Sequence, residues 1–484
     1  MLATATRNRL IECLALGGAV GLVAGLWPTA LLPLTGLVVL ILLLVFNPVT
    51  GLGLLLVSRS SLDIFADTPI LPPPIALNPA STMGILLILL TALLVVFRVL
   101  RRAPVEWGGR LAFLWGIWLL LAGVGVLIGG LLHGGSALAL GIRELVRLSS
   151  LLAVYLLVVN LARGRQGSQV ITGAILLGLV VPSAVAIYQF LSGQAEHNVY
   201  GIKRLSGTFV HPNPFAIYLV AVFMAALGFW KDLTRTSRQR VWLPLVMAAT
   251  LVLLVFTFSR SGFAILILAL LLWASLGSRK RLLAVVGGLA VVSLVSAPVL
   301  VWRFQDLFNT AGTRVGAAPS NSWEWRMQNY YLLFHTAMES PIVGHGTRTV
   351  PLVNPVKSVS LEGYTIGAAS HNELIRVLVE HGLVGVVAYL VIAISLLMAL
   401  RDLIRKQRPP PEGGHPELGR AILCYLCSLF MLGMLGTEYT ADTMALYVAL
   451  ALAGILYTGR QQTPSHLEPL AAWVRMSPRK EPAP

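Results

Sequence analysis

The sequence has 484 residues, of which 56% are hydrophobic and 12% are charged. Soluble domains carry about 25% charged residues, so this composition excludes an ordinary soluble protein. A net charge of +16 would suit a nucleic-acid partner in a soluble chain. Here most basic residues lie in short loops between long apolar runs. We therefore attribute the excess charge to membrane topology and expect no nucleic-acid partner.

Apolar runs near twenty residues recur along almost the whole chain, which predicts an all-α polytopic membrane protein. We expect about 12 to 14 transmembrane helices in a single integral membrane domain, 1–484. The first run is interpreted as a spanning helix, and the short run 48–57 as a span or a re-entrant segment. The predicted segments are 10–26, 29–46, 48–57, 81–97, 111–132, 136–161, 169–191, 213–230, 242–258, 261–276, 282–301, 383–400, 419–436 and 441–458.

The basic residues predict the orientation of these spans, because cytoplasmic loops are enriched in Lys and Arg. With Arg7 and Arg9 placed inside, alternation puts every strongly basic loop on the same side. These loops contain Arg98, Arg101, Arg102 and Arg110; Arg163 and Arg165; Lys231, Arg235, Arg238 and Arg240; Arg279, Lys280 and Arg281; and Arg401, Arg405, Lys406 and Arg408. Both termini are then cytoplasmic, and the polar tail 461–484 is expected to be flexible.

Three polar segments fall on the outer side, at 58–80, 192–212 and 302–370. The third is a long loop that leads into a predicted helix at about 371–381. Loops of this length are usually functional or disordered. Its aromatic residues suit either membrane-interface anchors or a platform for a sugar or lipid.

Arg204 breaks the charge rule, because it lies on the outer side just before an apolar run. A cation at the end of a span is costly and therefore indicates a functional site. Lys203 and His211 are close to it in sequence, and Pro214 suits the first turn of the next helix. Exposed backbone N–H groups at that helix start would favour an anion such as a lipid phosphate. The alternative is an interfacial arginine that snorkels to water.

Arg260 is a second outer cation, in the sequence TFSRSGF between two apolar runs. A guanidinium group binds a diphosphate through paired hydrogen bonds. The hydroxyl groups of Ser259 and Ser261 would add two more donors. These three residues therefore form a candidate anion site, and the alternative is a simple hairpin turn.

Arg143 and Arg147 are four residues apart and share one helix face, toward the outer end of their predicted span. This position makes both of them candidates for the same anion site. Glu144 leaves a second interpretation open, in which it neutralises one of the two arginines as a structural ion pair.

His371 follows the long outer loop, in the sequence SHNELIRVLVEHG. Ser370 is predicted to cap the helix that begins there, with Glu373 in the favourable first turn. Histidine is the side chain best suited to exchange a proton near neutral pH. We therefore take His371 as the candidate general base, supported by Asn372. The alternative is a structural histidine.

His345, in PIVGHG, is a weaker candidate for the same proton transfer. Arg376 and Glu380 are four residues apart and are expected to pair. Cys424 and Cys427 have the spacing of a metal motif without a second ligand pair. Since the sequence also contains no DxD motif and no P-loop, we expect chemistry without a metal or a nucleotide cofactor.

Four segments together resemble the O-antigen ligase and O-antigen polymerase superfamily of bacterial envelope enzymes. They are RLSGTFVHPN (204–213), FSRSG (258–262), the segment from WEWRMQNYY to SPIVGHG (323–346), and SHNELIRVLVEHGLVG (370–385). Their order and topology match across residues 140–460, and the N-terminal helices match in being apolar.

The resemblance implies a multi-helix glycosyltransferase of the C type in the bacterial cytoplasmic (inner) membrane, with its active site facing the periplasm. Such enzymes pass a glycan from an undecaprenyl-diphosphate carrier to a hydroxyl acceptor. Carried over, Arg204 and Arg260 would hold the donor diphosphate, His371 would be the general base, and Arg143 and Arg147 would be supporting contacts. Further candidate contacts are Lys203, His211, Ser259, Ser261, Arg326, His345 and Asn372.

Ligase and polymerase differ in their acceptor, which is lipid A–core for a ligase and a second carrier-linked repeat for a polymerase. The outer loop and the His371 motif favour a ligase, and the alternative is an O-antigen or exopolysaccharide polymerase that extends carrier-linked repeats. In either case we expect an inverting, metal-independent transfer. A transporter of lipid-linked glycan would also need cations in a membrane groove. Transporters, however, usually contain inverted repeats and broken helices near the midplane. The sequence has no such repeat, and its candidate cations cluster on one face. A scaffold would explain neither Arg260 nor His371.

Overall fold

A computed structural model describes residues 47–65, 78–195, 197–199, 202–232, 239–295, 322–356, 358–361, 364–367, 369–405, 415–436 and 443–461. The predicted spans 10–26 and 29–46 and the tail beyond Gln461 lie outside these residues. The described part is mostly helical, with two short antiparallel hairpins.

The elements in chain order are α1 Pro48–Arg59, α2 Pro79–Leu100, α3 Gly109–His133, α4 Gly135–Leu161, α5 Gly164–Leu177, α6 Val180–Ser192, β1 His197–Val199, β2 Ile202–Arg204, α7 Pro212–Asp232, α8 Gln239–Thr257, α9 Arg260–Ser275, α10 Arg279–Val295, α11 Ser322–Glu339, α12 Val350–Val353, β3 Ser358–Leu361, β4 Tyr364–Gly367, α13 Glu373–Arg405, α14 Pro416–Gly436 and α15 Thr443–Gln461. A short 3-10 helix, Leu62–Phe65, follows α1.

Seven helical segments of the described chain are long and apolar enough to cross a membrane, and four shorter apolar helices accompany them. The prediction of an all-α polytopic membrane protein is therefore confirmed. The predicted span 169–191 consists of two helices, α5 and α6, which meet at the turn of Gly178 and Leu179. The Ser60 hydroxyl donates to the Gly178 carbonyl at 2.6 Å, which satisfies one backbone group at this turn.

Helix α7 is the centre of the main core. Nearly all of its residues are buried, and it packs against α8, α9, α14 and α15. Where α7 crosses α14, Gly228 allows the backbones to approach closely. A Cβ atom at this position would come within 2.5 Å of the Leu418 Cα. Small residues of this kind let membrane helices pack tightly where lipid supplies no hydrophobic drive.

A second, smaller core lies within the predicted outer loop 302–370, in which no helix was predicted before about residue 371. Residues Leu333 and Ala337 of α11 pack there with Val350 and with Val379 of α13. Helix α11 therefore docks on the beginning of α13.

Helix α13 is interrupted at Gly382, whose φ of 61° and ψ of −163° are open to glycine and strained for other residues. The non-helical segment 341–346 satisfies the backbone groups around the break. The N–H of His345 donates to the Val379 carbonyl at 2.8 Å, and the N–H of Leu383 donates to the Pro341 carbonyl at 2.8 Å. Non-helical backbone is tolerated in an apolar segment when protein groups replace the lost hydrogen bonds.

Candidate active site at one end of the helix bundle

Most of the candidate residues lie at one end of the bundle, which we call the site end. It is formed by the beginnings of α7, α9, α13 and α15 and by the ends of α8 and α14. At this end Asn372, before α13, donates to the Met434 carbonyl near the end of α14. Arg204 of β2 donates to Asn213 at the start of α7, and Arg147 of α4 donates to Thr443 at the start of α15. The other end, which contains the start of α14 and the end of α7, is called the opposite end.

Arg204 is held between three elements at the site end. It is the last residue of β2, and it is buried. Its Nε donates to the Thr257 carbonyl at 2.8 Å, and a terminal nitrogen donates to the Asn213 Oδ1 at 2.9 Å. Thr257 ends α8, and Asn213 lies in the first turn of α7. These two hydrogen bonds fix the direction of the guanidinium group.

The SRSG turn lies against the same asparagine. Ser259 caps α9 by accepting from the Gly262 N–H at 3.2 Å, after a left-handed Phe258. Its hydroxyl also donates to the Asn213 Oδ1 at 2.9 Å and lies 3.2 Å from the Ser261 hydroxyl. The structure therefore brings Arg204, Ser259 and Ser261 together, with Arg260 as the first residue of α9.

The beginning of α7 has fewer free backbone N–H donors for an anion than predicted. Pro212 and Pro214 have no N–H, and the N–H of Asn213 donates to the His211 Nδ1 at 3.1 Å. The hypothesis of exposed donors at this helix start was therefore wrong, and His211 acts as a capping group. Lys203 is exposed, and its ammonium group donates to the Gly193 carbonyl.

Glu144 forms its ion pair with Arg147, which is one of the two partners that the sequence offered. Two hydrogen bonds join them, one of them from the Arg147 Nε at 2.9 Å, and the carboxylate is buried. Arg147 also lies 3.3 Å from the Thr443 hydroxyl of α15. Arg143 is exposed at the same end of α4. The charge of Arg147 is therefore balanced by a carboxylate.

A second buried ion-pair group lies at the start of α13. Arg376 donates to Glu380 at 2.6 Å, as predicted, and also to Glu373 at 2.5 Å. All three side chains are buried. Arg348, in the segment after His345, is close enough to interact electrostatically with Glu144 and Glu380. The two ion-pair groups, one on α4 and one on α13, are therefore near enough to influence each other electrostatically.

His371 lies directly before α13 in a left-handed conformation with a φ of 52°. Its side chain is partly exposed. The Tyr330 hydroxyl donates to its carbonyl at 3.0 Å, and the Trp325 ring meets its imidazole edge to face at 5.2 Å. Both aromatic residues belong to α11, where Arg326 is partly buried beside Trp325.

Asn372, and not Ser370, caps α13. The Asn372 Oδ1 accepts from the Ile375 N–H at 3.1 Å, and its amide nitrogen donates to the Met434 carbonyl at 3.0 Å. The Ser370 hydroxyl is instead engaged with the backbone of Asn372. The prediction for Ser370 was wrong because Asn372 reaches both α13 and α14.

The connection through α14 relates His371 to Arg260. Asn372 binds the end of α14, and α9, which begins at Arg260, packs along α14. The two candidate residues therefore lie at neighbouring helix termini of the site end. His345 is placed differently, since its buried Nε2 lies 2.9 Å from the Thr336 carbonyl, later in α11. It also contacts the His133 ring of α3.

Arg59 is a buried residue of the site end that was not among the predicted candidates. It pairs with Asp63 at 2.6 Å and lies 5.7 Å above the Tyr447 ring. The Tyr447 hydroxyl lies 2.5 Å from the Ser150 hydroxyl, one turn beyond Arg147 in α4. The available signal was an arginine in the predicted outer segment 58–80, which contradicts the expected charge distribution.

Residues 245–390 match the family described as O-antigen ligase. The matched region contains Arg260, Arg326, His345 and His371, and it ends within α13. No curated protein matches the chain. The match confirms the resemblance to the superfamily of O-antigen ligases and polymerases, and it supports glycosyltransferase activity of that general type. Together with the apolar helices, it supports a multi-pass membrane protein.

Proposed function

We propose that the protein transfers a glycan from an undecaprenyl-diphosphate carrier to a hydroxyl acceptor outside the cytoplasmic membrane, in the manner of an O-antigen ligase. The observation that carries this proposal is the position of His371. This left-handed, partly exposed histidine shares the site end with Arg204 and with the turn that leads into Arg260. The family match includes both His371 and Arg260.

In the proposed reaction, Arg204 and Arg260 bind the donor diphosphate. Negative charge grows on the diphosphate as it leaves, and fixed guanidinium groups stabilise that charge. The hydrogen bonds from Arg204 to Thr257 and Asn213 orient its guanidinium group before the donor arrives. This arrangement would give the leaving group the stabilisation that other transferases obtain from a metal ion.

His371 would accept the proton of the acceptor hydroxyl. The acceptor oxygen forms a bond to the anomeric carbon while the bond from that carbon to the diphosphate oxygen breaks. The proton moves to the imidazole, and the carrier diphosphate departs with the bonding electrons. Attack from the face opposite the diphosphate inverts the anomeric centre.

The remaining candidates receive secondary roles. Because Glu144 balances Arg147, we assign that arginine to the framework of the site. Arg143 and Lys203 are exposed at the site end, and we propose that they support donor binding. Ser259, Ser261 and Asn372 hold the termini on which Arg260 and His371 lie.

The proposal is tested by transfer with purified protein, an undecaprenyl-diphosphate-linked glycan and EDTA. Two acceptors are offered separately, lipid A–core and a second carrier-linked repeat. Product on lipid A–core in the presence of EDTA is the expected result. A ladder of lengthened carrier-linked glycan would make the protein a polymerase. Absence of product with both acceptors would overturn the glycosyltransferase proposal.

A transporter of the same lipid-linked glycan is the second candidate, because α13 is broken at Gly382. Interrupted helices line the substrate sites of many transporters. The break is filled by protein backbone from 341–346, which agrees better with a structural role. Movement of labelled carrier-linked glycan across vesicles, without transfer in the assay above, would favour the transporter.

A further inference from the structure

The backbone of His371 requires an external restraint. A left-handed conformation is unfavourable for a residue with a side chain, and it persists when surrounding contacts impose it. His371 has a φ of 52°. The next residue, Asn372, is fixed on two sides, because it caps α13 and its amide nitrogen donates to the Met434 carbonyl of α14. These contacts fix the start of α13. Contacts from α11 fix the backbone and the side chain of His371.

These further contacts come from the first half of α11. The Tyr330 hydroxyl donates to the His371 carbonyl, and the Trp325 ring meets its imidazole. Asn329, one turn after Trp325, donates to the Ala369 carbonyl at 2.9 Å, and Asn354 donates to the Asn329 Oδ1 at 3.0 Å. Trp325, Asn329 and Tyr330 of α11 therefore hold the segment that leads into α13.

Burial decides between two uses of Trp325. An exposed tryptophan at a glycan-processing site would suit a stacking platform for sugar. Trp325 is 2% exposed, so it has almost no free surface for a ligand. The Trp325 ring packs edge to face against the partly exposed imidazole of His371. Trp325 is therefore placed to restrict the rotation of that ring.

We propose that α11 is a positioning element for the general base, in which Tyr330 fixes the backbone of His371 and Trp325 fixes its imidazole. Neither residue needs to touch the substrate. This inference rests on the proposed glycosyl transfer, since it names the group that prepares His371 for proton transfer. A catalytic group held in one orientation reacts faster than one that must be ordered in each cycle.

The test compares Tyr330→Phe, Trp325→Leu and Trp325→Phe with wild type in the transfer assay over a range of pH. Tyr331→Phe is the matched control, because Tyr331 is the next residue of α11, is exposed and contacts His335. Melting temperatures confirm that each variant is folded. Donor and acceptor KM are measured separately from kcat.

We expect Tyr330→Phe to lower kcat by about fivefold to tenfold with both KM values unchanged, which corresponds to one lost hydrogen bond. Trp325→Leu should lower kcat about tenfold and displace the acidic limb of the pH–rate profile, because the imidazole loses its neighbour. Trp325→Phe should restore much of that loss, and Tyr331→Phe should match wild type.

Wild-type kcat and an unchanged pH profile in both Tyr330→Phe and Trp325→Leu would overturn the positioning role. Equal losses in Tyr330→Phe and Tyr331→Phe would also overturn it, since the effect would then belong to α11 in general. If wild type transfers and His371→Ala does not, these results leave the proposed function intact. If wild type forms no product with either acceptor, the proposed function and this inference fail together.

Discussion

The two ends of the helix bundle both contain buried polar side chains, and they use them differently. At the opposite end these side chains hold helix starts and loops. The Asp232 carboxylate accepts from the N–H groups of Glu417 and Leu418 at 3.0 and 2.9 Å, at the beginning of α14. The partly exposed Arg98 donates to two backbone carbonyls there, at 2.7 and 2.9 Å. Such contacts satisfy groups that a helix end leaves open.

At the site end, buried charge occurs together with strained backbone. Among the described residues other than glycine, Phe258, Arg348 and His371 have left-handed φ values there, and Arg102 has one at the opposite end. Strain of this kind accumulates at functional sites, because the surrounding structure must hold it in place. Buried polar side chains alone therefore indicate a stabilising role, whereas buried polar side chains beside strained backbone indicate the candidate site.

The largest expected effect is the loss of glycan transfer on substitution of His371. Two substitutions at this position distinguish the role of the side chain from the strain of the backbone. His371→Ala should lower glycan transfer by about 100-fold to 10,000-fold, the usual contribution of a general base. Carrier-lipid binding and expression should persist, because the side chain is partly exposed. His371→Gly should be equally inactive but about 1 kcal/mol more stable than His371→Ala, because glycine adopts the left-handed conformation without strain.

The measurements are transfer rate, carrier binding and the melting temperature in detergent for both variants. Normal transfer by His371→Ala would refute the general-base assignment. Equal stability of the alanine and glycine variants would show that the left-handed backbone carries little strain in the folded protein.

The second prediction concerns Arg376, whose charge is balanced by Glu373 and Glu380. Arg376→Met leaves two carboxylates buried side by side and should destabilise the fold by about 3–5 kcal/mol. The free energy of unfolding in detergent measures this loss. Adding Glu373→Gln and Glu380→Gln to the same protein removes the uncompensated charges and should recover most of it. Failure of that recovery would mean that the arginine stabilises α13 by packing.

The third prediction compares one arginine from each end. Arg260→Ala should weaken binding of the carrier-linked donor by about tenfold to 100-fold, since hydrogen bonds to charged groups contribute about 1.5–3 kcal/mol. Arg281→Ala, which removes a partly exposed pair with Glu417 at 3.2 Å, should leave donor affinity unchanged. Affinity is measured with a labelled donor and inactive His371→Ala protein. Unchanged affinity in Arg260→Ala would remove Arg260 from the donor site.

Much of the fold was predictable because membrane helices are delimited by apolar runs. The predicted segments 111–132 and 136–161 lie within one or two residues of the termini of α3 and α4. Helix α11 was missed because its sequence is too polar to span a membrane and its apolar residues serve a small local core. The break in α13 depends on the segment 341–346, which is distant from Gly382 in sequence.

The charged residues of the candidate site were predictable from the sequence, but most of their hydrogen-bond partners were not. Arg204, Arg260 and His371 stood out because of their residue type and their position relative to the apolar runs. Asn213, which accepts hydrogen bonds from both Arg204 and Ser259, could not be recognised before the helix termini were placed together. Arg59 was recognisable as an arginine in an outer segment, but its contact with Tyr447 was not, since that contact joins distant helices.

The smallest predicted effect tests the opposite end. Asp232→Asn should destabilise the protein by about 1 kcal/mol, because α14 loses the charge and one of the two acceptor oxygens at its N-terminus. Asp232→Ala should destabilise it by about 2 kcal/mol, because both acceptors are lost. Transfer per folded molecule should equal that of wild type in both variants. The measurements are unfolding in detergent and the transfer rate normalised to folded protein. A reduced transfer rate in folded Asp232→Asn protein would mean that α14 transmits a change at its start to its other end, which binds Asn372. The two ends of the bundle would then not have separate stabilising and catalytic roles.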